Sequence, residues 1–128
     1  MTLKEVEDYC LKKSGSYLDF PFGPDVSVVK LKAPLQEKGR IFAQIFMLKG
    51  EPKVTFCCDR MMGEIWRDAY PGCVVRGYHC PPVQQPYFNT ITLDGRLSDD
   101  VIIEMIHHSY TTALSKLSKK KQREIEAL

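Results

Sequence analysis

Hydrophobic positions along this 128-residue chain change period several times, and each change marks an element. Leu3, Val6 and Cys10 recur at helical spacing behind Thr2-Leu3-Lys4-Glu5. That tetrad is a capping box, in which the Thr2 hydroxyl and Glu5 carboxylate satisfy reciprocal backbone donors. Ser14-Gly15 closes the helix, and Ser16 to Phe20 reads as a short strand. Phe20-Pro21-Phe22-Gly23-Pro24-Asp25 is a corner, because its two prolines remove ladder donors. Val26 to Lys32, Arg40 to Leu48 and Lys53 to Cys58 then switch to the period of strands. The middle one, RIFAQIFML, is apolar at both alternating sets of positions, as a central strand would be. Gly39 and Lys49-Gly50-Glu51-Pro52 mark the turns of an antiparallel meander.

Helical spacing returns after Asp59, an N-cap, with Met62, Ile65, Trp66 and Ala69 forming one expected buried face. Tyr70-Pro71-Gly72 stops that helix. Cys73 to Tyr78 and Phe88 to Leu93 predict two more strands, and Asp94-Gly95 closes them with a turn. Ser98-Asp99-Asp100 opens a long helix whose core face is Ile102, Ile106, Tyr110, Ala113 and Leu117. Ser118 caps a short additional helix, Lys119 to Ala127. Helix, strands, helix, strands, helix is the order of an α+β domain, and residues 1–128 read as one such domain.

Composition narrows the function classes without selecting one. Eighteen Lys and Arg against sixteen Asp and Glu leave a formal charge of +2, far short of a strongly basic nucleic-acid binder. The first twenty residues are too charged for a signal peptide, and no stretch is apolar enough to span a membrane. Five cysteines, an odd number, suit thiols in a reducing cytoplasm better than a disulfide framework. A cytoplasmic protein with no membrane partner is the expectation.

Several short motifs, in order, resemble the MmcQ/YjbR family of small bacterial proteins. They are Pro21-Phe22-Gly23-Pro24-Asp25, Pro71-Gly72 with Gly77-Tyr78-His79, Asn89-Thr90-Ile91, Leu93-Asp94-Gly95 and Ser109-Tyr110. The resemblance runs from Thr2 to Leu117. It implies a CyaY-like α+β fold, an antiparallel sheet packed against N-terminal, middle and C-terminal helices. It also implies DNA binding through two hairpin wings, and no catalytic activity. The chain departs from the family where a Lys and a His-Trp pair commonly precede the Asn-Thr strand. Gln85 or Pro86, Tyr87 and Phe88 stand there instead, and Cys57 replaces a further Lys. Each missing cation subtracts from phosphate neutralisation, the main source of non-specific affinity.

The stretch RGYHCPPVQQPYFNTITLDG, Arg76 to Gly95, concentrates the remaining chemistry. His79, Cys80 and Cys73 lack the close C-x2-C spacing of zinc knuckles. Cys57 and Cys58 are neighbours on a strand, and their side chains point to opposite faces. His79 and Cys80 diverge in the same way, which disfavours a Cys-His nucleophile pair. His107 and His108 lie about 100° apart on a helix, so one is expected to face the sheet and the other solvent. No metal, cofactor or catalytic residue is therefore expected.

Recognition is the reading that remains. Tyr78, Tyr87 and Phe88 flank a proline-stiffened excursion, Pro81 to Pro86, with Arg76 and Arg96 nearby. Aromatics interleaved with cations can stack bases and hold phosphates. The expected function is a small non-enzymatic, nucleic-acid-binding or regulatory protein. Its candidate contacts are Arg40, Lys49, Lys53, Arg76 and Arg96, with Tyr78, Tyr87 and Phe88 as stacking groups. DNA would be bound weakly and without sequence preference, on the order of 10⁻⁴–10⁻⁶ M at physiological salt. Lys119-Lys120-Lys121 with Arg123 is the densest basic run, normally a solvated helical face. The alternative is a small-molecule- or protein-binding module, with its pocket between the sheet and the Pro81 to Pro86 loop.

Overall fold

The doubly apolar stretch Arg40–Leu48 becomes the third strand of a six-stranded antiparallel sheet in the computed structural model, which describes residues 1–78 and 80–128. The strands are β1 (Ser16–Asp19), β2 (Ser27–Leu31), β3 (Arg40–Leu48), β4 (Glu51–Cys57), β5 (Val74–Arg76) and β6 (Phe88–Thr92). Their order is β1-β2-β3-β4-β6-β5, so a four-strand meander is extended by β6, and β5 forms the far edge. The helices are α1 (Leu3–Leu11), α2 (Arg60–Ala69), α3 (Asp99–Ser115) and α4 (Lys119–Glu126). No helix among the described residues is long and apolar enough to cross a membrane.

Local chemistry sets most boundaries where expected. Both halves of the Thr2–Glu5 capping box form, and the side chains of Asp59, Ser98 and Ser118 cap α2, α3 and α4. The turn after β3 is tighter than the expected span of residues 49–52. Lys49 and Gly50 take φ of 50° and 80°, the paired left-handed geometry of a two-residue hairpin, so Glu51 and Pro52 already belong to β4. β5 is shorter than the expected Cys73 to Tyr78. At Gly77 the chain turns off, and a Cβ there would lie 2.6 Å from Phe88 Cβ and 2.7 Å from the Cys80 thiol.

The core fills the space between α1, α3 and one face of the sheet. Val29, Ala43, Ile45, Val54, Phe56 and Ile91 supply the sheet side. Ile102, Met105, Ile106, Tyr110 and Ala113 supply α3, whereas Leu117 lies beyond the helix end and is half-buried. The expected buried face of α2 needs correction. Trp66 is buried as expected, yet Ile65 is 49% exposed and Ala69 also faces out. Gly63 takes the inward position instead, where a Cβ would sit 2.6 Å from the Cys58 thiol. The missing side chain lets α2 approach the sheet closely and rolls its face from Ile65 toward Gly63 and Trp66.

Two buried polar side chains complete this face. The register of β2 against β3 slips after Val29–Ala43, leaving Phe42 as a bulge residue. Ser109, fully buried on α3, occupies that defect: its hydroxyl donates to the Phe42 carbonyl and accepts from the Cys57 amide at 3.0 Å. Asn89 ties β6 to α2, accepting from Arg67 at 2.6 Å and donating to the Gly63 carbonyl at 3.2 Å. Nearby, the Tyr110 hydroxyl donates to the Ser14 carbonyl at 2.6 Å.

Candidate ligand-binding groove

Among the described residues, no helix covers the other face of the sheet. Alternation opposite the core residues turns Val28, Gln44, Phe46, Lys53, Thr55, Thr90 and Thr92 toward it. Thr55 and Thr90 share a buried hydrogen bond of 2.7 Å, and Thr90 also accepts from the Tyr78 amide at 2.8 Å. That bond brings Tyr78 over the sheet, where its ring stacks on Phe46 with centroids 6.2 Å apart and planes 25° from parallel. Lys53 donates to Thr92 at 2.6 Å, and its side chain is mostly buried.

Two segments rise from this floor as walls. The Phe22–Val26 corner stands on one side, and the loop beginning at Tyr78, with Cys80, Pro81 and Gln84, stands on the other. Between them runs a groove of about 820 Å³, lined mainly by apolar and aromatic side chains. The loop is held by its own bonds: Gln84 and Gln85 amides donate to the Pro81 carbonyl at 2.8 and 3.1 Å, and the Gln85 side chain donates to the Cys80 carbonyl at 3.1 Å. A single 3-10 turn, Gln85–Tyr87, then feeds β6.

Arg40, Ile41, Gln84 and Phe88 also border a second hollow of about 590 Å³, toward the end of α3. Cys57, Asp59, Tyr87, His108 and Lys116 also belong to its lining. The groove and the hollow therefore meet at the Arg40 end.

Of the residues singled out from the sequence, four converge and four do not. Tyr78, Phe88 and Arg40 line the groove, and Tyr87 joins Phe88 and Arg40 in the hollow. Lys49 sits at the exposed tip of the β3–β4 hairpin. Lys53 is turned into its bond with Thr92. Arg96 is paired with Asp94 at 2.7 Å. Arg76 pairs in register with Asn89, on the side of the sheet that faces α2 rather than the groove. Sequence reasoning missed Phe22, Gln44 and Phe46. Phe46 was legible only as a strand position, since its stacking partner is 32 positions away in the chain.

The thiols and imidazoles are placed as packing groups. Burial pushes the Cys57 thiol up, opposed by its hydrogen bonds to Ser109, and pushes Cys58 up to about 12. Burial raises Cys80 as well. High thiol pKa values oppose nucleophilic use. His108 packs edge-on against Trp66 at 5.2 Å, and its Nε2 accepts from the Asp59 amide at 3.1 Å. Burial holds it below the ordinary imidazole value, more strongly than the nearby Asp59 carboxylate raises it. His107 is exposed, so the pair splits as expected, although the inward member meets Trp66 of α2 rather than the sheet. Among the described residues, no three His, Cys, Asp or Glu side chains converge as metal ligands. The readings that involve His79 fall outside the described residues.

An antiparallel sheet with helices on one face and a walled groove on the other defines the class as an α+β protein with an open-face cleft. The chain belongs to the YjbR family, whose model matches residues 11–112. It is similar to the crystal structure of the Deinococcus radiodurans protein DR2400, described by a DUF419 domain, with 25% identity and a TM-score of 0.86. That similarity covers 98% of this chain and 88% of the other. A Pseudomonas syringae protein shares the fold at 18% identity and a TM-score of 0.69, over 88% of this chain and 99% of its own. No curated protein matches the chain.

Proposed function

We propose that this protein is a non-enzymatic binding module that takes a small molecule in the groove on the open face of its sheet. The observation that supports the reading is the groove itself. A cleft of about 820 Å³ falls in the usual range for small-molecule sites, and its lining mixes apolar walls with a few polar groups. The wall formed by the loop is braced by its own hydrogen bonds, so little ordering entropy is lost when a ligand enters. The non-catalytic part of the reading is supported by the raised thiols and by His108, whose Nε2 is occupied as an acceptor.

Nucleic acid is the second reading, favoured by the gathering of Tyr78, Tyr87 and Phe88 around Arg40. Such a surface suits unstacked bases of a single strand better than a duplex, whose capture relies on many phosphate contacts. The scattering of Lys49, Lys53, Arg76 and Arg96 supports the small-molecule reading over a duplex surface.

Fluorescence-anisotropy titrations with duplex and single-stranded oligonucleotides near 50 mM salt, beside a thermal-shift screen of small aromatic compounds, test the pair. Stabilisation by aromatic compounds with no duplex binding is the expected result. Tight duplex binding with a steep salt dependence would reverse the order of the two readings.

A further inference from the structure

The two ends of the groove differ in charge. Its floor follows β3 from Ile41 to Leu48, and seven residue steps from Arg40 to Met47 span roughly 20 Å. Ser27 pairs with Ile45, so Asp25, two residues earlier, lies toward the Met47 end. Arg40 stands at the opposite end. Among the described residues the Arg40 side chain makes no hydrogen bond or ion pair, whereas Arg67 is bonded to Asn89 and Arg96 to Asp94. Lys116 adds a second cation in the adjoining hollow. Both cations are close enough to act on the Cys57 thiol in the direction that favours negative charge. The acid of that hollow, Asp59, is already engaged: it accepts from the Met62 amide at 2.7 Å and faces His108 at 3.4 Å. An uncommitted cation therefore marks one end of an aromatic-walled cleft, and a carboxylate marks the other.

We propose that the groove takes a small flat aromatic anion, its ring against Tyr78 and Phe88 and its anionic group on the Arg40 guanidinium. The proposal rests on the groove being a ligand site and adds the charge and orientation of the ligand. A planar guanidinium matches a carboxylate or phosphate in bidentate fashion, and aromatic walls favour a flat body that slides between them. Asp25 repels a second anionic group at the far end, which sets the orientation and disfavours dianions with charges at both ends.

Two anion sources share this chemistry, an aromatic carboxylate and a mononucleotide. Affinities of 2-naphthoate and AMP would be measured against their neutral counterparts, 2-naphthalenemethanol and adenosine, by calorimetry. Side-chain amide NMR signals of Gln44 and Gln84, both in the groove lining, report the location. At least one anion is expected to bind about tenfold more tightly than its neutral counterpart, as a charge-assisted bond provides. Whichever pair shows the preference identifies the source. Arg40→Gln, at an exposed strand end, is expected to abolish the preference, and Arg40→Lys to restore part of it. Equal binding of anionic and neutral forms, with both amides shifting, would keep the groove as a ligand site and overturn the charge assignment. A preference that survives in Arg40→Gln also overturns it. If no probe moves either amide, the ligand-site reading falls as well.

Discussion

The two faces of the sheet solve opposite problems. The helix-covered face is sealed: its polar intrusions, Ser109 and Asn89, are each bonded to backbone groups that would otherwise be orphaned. The open face carries threonines and Gln44, and Tyr78 stacks on Phe46 above them with no helix over it among the described residues. Side chains on the first face are positioned to exclude water, and those on the second leave a cleft open to solvent. Several motifs that carry the family resemblance belong to the sealed face. Ser109-Tyr110 plugs the β3 bulge and ties α3 to the α1–β1 turn, and Asn89 clamps α2. Other residues of the same motifs serve the open face: Thr90 and Tyr78 on its floor, and Phe22 and Asp25 in the wall of the groove. The motifs on the sealed face identify a fold, and only those on the open face bear on a ligand.

Substitutions on the two faces should therefore separate stability from binding. The largest stability effect is expected at Trp66, 6% exposed and packed on His108. Trp66→Ala should cost about 3–5 kcal/mol, as aromatic truncations in cores do. Urea unfolding checks the loss, and native tryptophan emission should have the blue position of a shielded indole. Emission at the wavelength of free tryptophan would show that this face is not sealed.

Ser109→Ala comes next. It strands the Cys57 amide and the Phe42 carbonyl in the interior, at a cost of about 1–3 kcal/mol. Thr55→Val on the open face should cost less, about 1 kcal/mol, because Thr90 keeps the Tyr78 amide as a partner. Equal costs would remove the distinction between the faces.

The element order was legible because caps, turns and periodicity are local. The capping box, the three other side-chain N-caps and all of β3 needed nothing beyond neighbouring residues. The errors arose where a distant neighbour decides. Ile65 fits the helical stripe of α2, but Gly63 wins the inward position because Cys58 and Pro86 lie against it, and spacing within α2 does not encode that approach. The site was half legible for the same reason. Tyr78, Tyr87 and Phe88 drew notice through a local cluster of aromatics and prolines. Gln44 and Phe46 join them only through strand pairing across the sheet, and Phe22 through the corner between β1 and β2. A place near a predicted turn or strand end does not show that Arg96 is held by Asp94 or that Arg76 lies on the other face.

A smaller, pH-dependent effect is expected at the junction of the faces. His108 is held below its ordinary pKa chiefly by burial, so the unfolded chain binds its proton more readily than the folded one. Its contribution is fully present above the unfolded imidazole value, roughly 6.5, and is lost as pH falls through the lower folded value. Protonation also ends the role of Nε2 as acceptor for the Asp59 amide, at the start of α2. Chemical denaturation of the wild type and His108→Gln between pH 5 and 8 should show a shallower loss in the variant on acidification. Parallel curves would assign the acid sensitivity elsewhere.

The smallest effect is expected from cations outside the groove. If oligonucleotides are held by a broad surface, removing Arg76 and Arg96 should lower the salt slope of binding by roughly one for each phosphate-binding cation removed. The geometry argues for almost no change. The Arg96 guanidinium donates to Asp94 at 2.7 Å, so the pair presents little net charge to a phosphate. Arg76 is displayed on the α2 side of the β5 edge, away from Tyr78. Neither substitution should alter folding by more than about 0.5 kcal/mol, as for surface positions in general. Anisotropy titrations across a salt series, with Arg76→Ala/Arg96→Ala beside Arg40→Gln, decide between the two pictures. An unchanged slope in the double variant, with weakened binding in Arg40→Gln, places recognition at the aromatic cleft. A slope reduced by about two in the double variant would instead make the whole rim of the sheet a phosphate-binding surface.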